Sequence, residues 1–167
     1  RKSRFDRHML RQIIQNGVPS GFQNSVIAIA NVFVQSNINA FGKMAMAGCG
    51  AYSKVEGFAF LPVTCFTMAI TTFVGQNLGA KQYDRAKKGA KFGILCSIFI
   101  AELIGITIYT AAPVLIAAFN RDPDVIHYGV MQSRTIALFY CLLAFTHCIA
   151  AVLRGSGNAA VPMIVLL

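Results

Sequence analysis

Charge is missing from four long stretches of this chain: none lies between Arg11 and Lys43, Glu56 and Lys81, Glu102 and Arg121, or Arg134 and Arg154. A helix that crosses a bilayer needs roughly 20 mostly apolar residues. The pattern predicts four spanning helices, near 18–39, 45–74, 91–119 and 125–153. A fifth starts near Ala159 and enters the apolar run Val161–Leu167. The expected fold class is all-α: a polytopic membrane helix bundle of about four and a half transmembrane helices. A chain that opens on Arg1 and closes inside an apolar run reads as a piece of a larger bundle.

Before the first span, Phe5, Met9 and Ile13 recur at helical spacing while Arg4, Arg7 and Arg11 take another face. That predicts a short amphipathic helix over 5–15, lying in the interface within a linker over 1–16. Residues 17–167 form the bundle. Pro19 is expected in the first turn of span one, where its missing N–H costs nothing. Span one carries a stripe of small and amide side chains, Ser20, Asn24, Ala28, Asn31 and Gln35. Amides facing lipid are costly. The stripe therefore faces either a wet cavity or other helices through hydrogen bonds; Asn24, Asn31 and Gln35 are the cavity candidates.

Span two contains Lys54 and Glu56, two residues apart and so on different faces. Tyr52 precedes Glu56 by one turn and is within reach of its carboxylate. Counted from Met44, Glu56 lies roughly 18 Å along the axis. Pro62 is expected to kink this span. Span three carries Glu102 far from either end. Carboxylates at such depth are functional candidates by default, the plainer alternative being a buried partner elsewhere.

Composition agrees with a membrane class. The chain is 56% hydrophobic and 13% charged, with mean hydropathy +0.59, whereas soluble domains carry about 25% charged residues. The net charge of +9 does not indicate nucleic acid, because of where the charges sit. Arg1, Lys2, Arg4, Arg7 and Arg11 precede span one, and Lys81, Arg85, Lys87, Lys88 and Lys91 follow span two; two crossings put both groups on one side. Lys43 and Arg121 fall on the other. This bias predicts basic loops facing the cytoplasm and anionic lipid.

Chemistry-bearing motifs are sparse. There is no phosphate-binding GxxxxGK[ST] loop and no Gly-x-Ser-x-Gly. Cys49, Cys65, Cys96, Cys141 and Cys148 fall in the spans at irregular spacing and read as small packing residues. Cys141, His147 and Cys148 on one helix are a weak metal constellation without carboxylate support. No cofactor and no enzyme activity are expected, so any transport would draw on an ion gradient or an unseen partner.

Four short motifs sit at the span boundaries: Gly17-Val18-Pro19, Gly42–Gly48, Phe73–Ala80 followed by Asp84-Arg85-Ala86, and Leu153–Asn158. In this order they resemble the MATE family, the multidrug and toxic compound extrusion transporters. The resemblance runs from Arg4 to Leu167. Within it Gly17, Pro19, Gly75, Gln76, Asn77, Gly79, Arg154 and Gly155 occupy motif positions with a structural role. It implies a partial C-terminal lobe, helices seven to ten and the start of eleven, of a twelve-helix transporter. The implied activity is export of organic, often cationic drugs across the cytoplasmic membrane by alternating access, in exchange for Na+ or H+. The implied partners are the lipid bilayer, the N-terminal lobe of the same polypeptide and small organic cations.

The sequence departs from the family pattern in two places. Some relatives carry a glutamate early in helix seven, where Gln23–Ile27 contains none. Some carry an aspartate about ten residues before the Leu-Arg-Gly turn, where Leu142, Leu143 and Ala144 stand. Coupling would then rest on the absent lobe or on Glu56 and Glu102. A lipid-linked saccharide flippase of the same superfamily is the alternative transporter, although such cavities are basic and this stripe is amide. A non-transport structural membrane subunit would leave the stripe unexplained. A membrane enzyme would need clustered His, Asp or Glu.

Overall fold

The computed structural model describes residues 6–166, and among them every regular element is a helix. Seven follow in order: α1 (Arg7–Ala40), α2 (Lys43–Ala59), α3 (Leu61–Gly79), α4 (Tyr83–Ala117), α5 (Pro123–Ala137), α6 (Tyr140–Gly155) and α7 (Ala160–Leu166). Phe5 and Arg4 of the amphipathic segment lie outside the described residues.

The expected break between an interfacial helix and span one is absent. α1 runs unbroken from Arg7, with Pro19 inside it and not in its first turn. Proline there removes only its own bond to the Gln15 carbonyl, and the flanking turns stay helical. Span two is divided as Pro62 requires. α2 ends at Ala59, Phe60 intervenes, and Pro62 falls in the first turn of α3, where a missing N–H is harmless. Across the break the Phe60 amide still donates to the Glu56 carbonyl at 2.8 Å, and the Phe60 carbonyl accepts from the Thr64 amide at 3.0 Å and the Thr64 hydroxyl at 3.1 Å.

Span four is also not the single helix expected over 125–153. α5 and α6 meet at a 56° bend. Neither proline nor glycine marks Leu138-Phe139. The bend is set by packing: the Ala137 carbonyl sits 2.8 Å from where a Gly105 Cβ would stand, and the next turn delivers Tyr140 into the core. Lys43–Gly79 and Tyr83–Ala117 are long and apolar enough to cross a membrane, and the bent α5–α6 pair adds a third span if counted as one. α1 has the length, but its amides keep it below the apolarity of those spans.

Small residues make the packing possible. In α4, Ala86, Ala90, Ser97, Ala101, Gly105, Ile108, Ala112 and Ile116 form the buried face. In α5 the face is Val125, Gly129, Ser133 and Ala137, one residue per turn. Lipid tails are as apolar as leucine, so helices in a membrane associate through such close approach and through polar contacts. α2 packs on α5, α3 on α4 and α6, and α4 on both halves of the bent pair; α1 touches mainly α2 and α7. A Cβ on Gly48 would meet the Val125 carbonyl oxygen at 2.6 Å, so α2 and α5 are in backbone contact there.

Both motif-bearing helix ends close in the same way. After α3, the Gln82 amide donates to the Asn77 carbonyl at 2.8 Å and the Lys81 amide to Leu78 at 3.0 Å, with Lys81 at φ 57. After α6, Asn158 donates to Leu153 and Gly157 to Arg154, both at 3.0 Å, with Gly157 at φ 85. These are paired C-terminal caps of the Schellman type.

Candidate functional site

α2 presents Ala45, Gly48, Ala51, Tyr52 and Val55 to the bundle interior. Tyr52 is therefore carried inward by the same periodicity that buries its alanine neighbours, and it is wholly inaccessible. Burial obliges its hydroxyl to find partners. It donates to Glu56 Oε1 at 3.2 Å, one turn on, and lies 3.3 Å from the Tyr140 hydroxyl. With the Tyr52 proton directed at Glu56, Tyr140 is the donor of the second contact. The result is a short relay, Tyr140 to Tyr52 to Glu56, that joins the start of α6 to the middle of α2. The first residue of α6 enters it because of the bend at Leu138-Phe139.

Glu56 is half-buried and its recorded partner is this phenol. Lys54 points elsewhere, its ammonium 5.5 Å from the centre of the Phe119 ring. That outcome follows from the two-residue spacing. A carboxylate held by one neutral donor at membrane depth retains acceptor capacity for a cation or a proton.

Glu102 lies on α4, about 22 Å from the Ala117 end at 1.5 Å per residue. Its Oε2 atom is buried and has no hydrogen-bond partner among the described residues. The structure does not bring it into the tyrosine relay. Two other buried atoms share its condition, Ser97 Oγ and Gln132 Oε1. Gln132 was not singled out from the sequence; a lone glutamine on an amphipathic helix carries no distinguishing signal. It lines a cavity of about 420 Å³ between α1, α2 and α5, together with Val34, Ile38, Cys49, Tyr128 and Thr135.

The amide stripe of α1 is exposed along its length at Asn24, Asn31 and Gln35. Gln35 donates along its own helix to Asn39 at 3.1 Å. None of the three lines the α1–α2–α5 cavity, whose wall on that side is Val34 and Ile38 of α1 with Phe41 just after it; at 100° per residue the stripe occupies the adjoining face. Gln23, off the stripe, reaches another helix, its amide donating to the Pro162 carbonyl at 3.5 Å.

The motif residues are placed by packing and capping. Gly75 and Gly155 face each other across α3 and α6. A Cβ on Gly75 would stand 3.3 Å from the Gly155 carbonyl oxygen, and one on Gly155 only 2.6 Å from that of Thr71. The Thr71 hydroxyl adds an interhelical contact to the Ala151 carbonyl at 3.2 Å. Asn77 is buried, its side-chain amide on the Phe73 carbonyl at 2.8 Å. The Gln76 carbonyl takes the Ala80 amide at the end of α3, and Gly79 is its last residue. Arg154 lines a cleft with Thr67, Thr71 and Thr72. Gly17 is exposed and Pro19 half-buried within α1. His147 stacks edge-on against Phe60, ring centres 5.1 Å apart. Among the described residues no three potential metal ligands gather.

The sequence is similar to known proteins. The MatE family model matches residues 19–167. The "Probable multidrug resistance protein YoeA" of Bacillus subtilis is 23% identical over 97% of this chain and 35% of its own length. The "Probable multidrug resistance protein NorM" of Thermotoga maritima is 28% identical over 93% of the chain and 33% of its own length. An "FAD transporter" of Shewanella oneidensis is 26% identical over 66% of the chain and 24% of its own length. The chain thus spans about a third of the length of the first two of these relatives.

Proposed function

The chain belongs to the MatE family, which makes it part of a multi-pass membrane protein, and on that premise we propose that the full-length protein exports drugs. The observation that carries this reading is the family match over residues 19–167, joined by multidrug resistance relatives that align with nearly the whole chain. The proposed cargo is small organic, often cationic compounds. The proposed mode is alternating access across the cytoplasmic membrane in exchange for Na+ or H+, with the basic loops toward the cytoplasm. The protein works with the bilayer and the N-terminal lobe of its own polypeptide, without nucleic acid, resident cofactor or catalysis.

In this reading Asn24, Asn31 and Gln35 form a polar wall of the substrate path. Their exposure on α1 leaves them available to a facing lobe, and an amide left facing lipid would be costly. Glu56 and Glu102 are the coupling-ion candidates. Both are carboxylates within spans, one held by a single phenol and the other with an unbonded buried oxygen. Such a group binds a cation or a proton but not both at once, which is the condition for exchange. The partial match to an FAD transporter favours a second reading, in which the cargo is a larger aromatic anion.

The test uses the full-length gene in drug-sensitive cells, following efflux of a fluorescent cationic dye while the proton gradient is collapsed or sodium is removed separately. Loss of efflux under one treatment supports the exchanger and names its ion. Efflux indifferent to both, or absent with the protein present in the membrane, turns the assignment toward the flippase or the flavin-type cargo.

A further inference from the structure

Where α3 ends, α4 begins and α6 ends, the three helices leave a groove of about 570 Å³. Its wall includes Leu78, Ile94, Phe145 and Ile149, and two cations enter its lining, Lys87 and Lys91. The groove exists because α4 presents alanine there: Ala86 and Ala90 are buried at its floor, and their small side chains leave room between larger neighbours.

We propose that this groove holds one anionic phospholipid of the leaflet on the side of the basic loop, its acyl chain along the apolar wall and its phosphate between Lys87 and Lys91. Three observations carry it. The lysines are one turn apart, so both ammonium groups project from the same face of α4. Among the described residues no carboxylate lines the groove; Asp84, three residues before Lys87, is not part of it. The depth also fits: from Lys87 to Ile98, the innermost α4 residue of the lining, the helix rises roughly 16 Å, against about 15 Å for half of a 30 Å hydrocarbon core. Tyr83 stands at the mouth, where an amphipathic ring belongs at headgroup level. Lysine stems lie along the wall while their charged ends remain at the interface. A phospholipid fills the apolar wall and answers both cations in one molecule.

The full-length protein in nanodiscs of mixed phosphatidylcholine and phosphatidylglycerol provides the test. Native mass spectrometry after release is expected to find phosphatidylglycerol retained in preference. Each cation near an anionic headgroup contributes about fivefold, so K87Q/K91Q is expected to reduce that preference by about 25-fold, while K43Q at the opposite end leaves it unchanged. Ile149→Trp, which fills the groove and keeps both charges, is expected to lower retention as well and decides the matter if the double variant fails to fold. Phosphatidylglycerol carrying a photoactivatable acyl chain is expected to label α4 and α6 near Phe145 and Ile149. Equal retention of the two lipids by the unaltered protein, an unchanged ratio in K87Q/K91Q, or labelling confined to other helices would overturn the proposal, the last by showing that another segment of the chain covers the groove.

Discussion

The hydroxyls of Tyr52 and Tyr140 lie 3.3 Å apart in a place from which solvent is excluded. The residues are far apart in the chain, and their contact ties the middle of α2 to the bend between α5 and α6. Tyr52 has two jobs there, since it also donates to Glu56. Removing the Tyr140 hydroxyl costs one neutral hydrogen bond, about 1 kcal/mol. Tyr52→Phe removes both bonds and strips the carboxylate of its donor, for about 2 kcal/mol or more. Thermal unfolding of the purified full-length protein is expected to rank them Tyr52→Phe below Tyr140→Phe below wild type. The reverse order would mean that the relay does not hold the bend.

The two intramembrane carboxylates separate by partner. Glu102→Gln leaves the bundle assembled, because the replaced oxygen makes no bond, and it is expected to change the ion dependence of efflux. Glu56→Gln keeps an acceptor for Tyr52 and is expected to do the same. Transport in membrane vesicles under imposed sodium or proton gradients measures both. Ion dependence identical to wild type removes the residue concerned from the coupling scheme.

Asn31→Leu and Gln35→Leu leave the described packing intact, since both side chains are exposed and Gln35 donates along its own helix. Drug resistance is expected to fall by several-fold at an unchanged amount of protein in the membrane. Unchanged resistance would take the amide stripe out of the substrate path.

At the α3–α6 contact the glycines are expected to differ. A methyl on Gly155 would collide with the backbone carbonyl of Thr71, which cannot swing aside, whereas one on Gly75 meets its nearest atom at 3.3 Å. Overpacking of the first kind costs about 1–3 kcal/mol. Gly155→Ala should therefore lower the melting temperature distinctly more than Gly75→Ala; equal effects would place the tight approach elsewhere.

Lys81 occupies a left-handed position at the end of α3, where the equivalent residue after α6 is Gly157. Lys81→Gly is expected to stabilise the loop by about 1 kcal/mol, and Gly157→Ala to destabilise its own by a similar amount. A melting temperature that moves the other way in either variant would contradict the shared cap.

The sequence by itself determined the class. Charge-free stretches of spanning length have few ways to fold in lipid, because every backbone polar group must be satisfied within the segment. Pro62 announced the break before α3, and the spacing of Tyr52 and Glu56 announced their bond, since residues one turn apart on a helix are neighbours whatever surrounds them. What tertiary structure decided is non-local. Nothing in Ile136–Tyr140 breaks a helix, yet the chain bends there, because Gly105 lets the Ala137 carbonyl approach and Tyr140 gains a buried partner on α2. The same holds for the cavity beside Gln132 and for the pairing of Gly75 with Gly155. Each depends on how closely two distant backbones approach, a quantity set by the small side chains of both helices together and written in neither one alone.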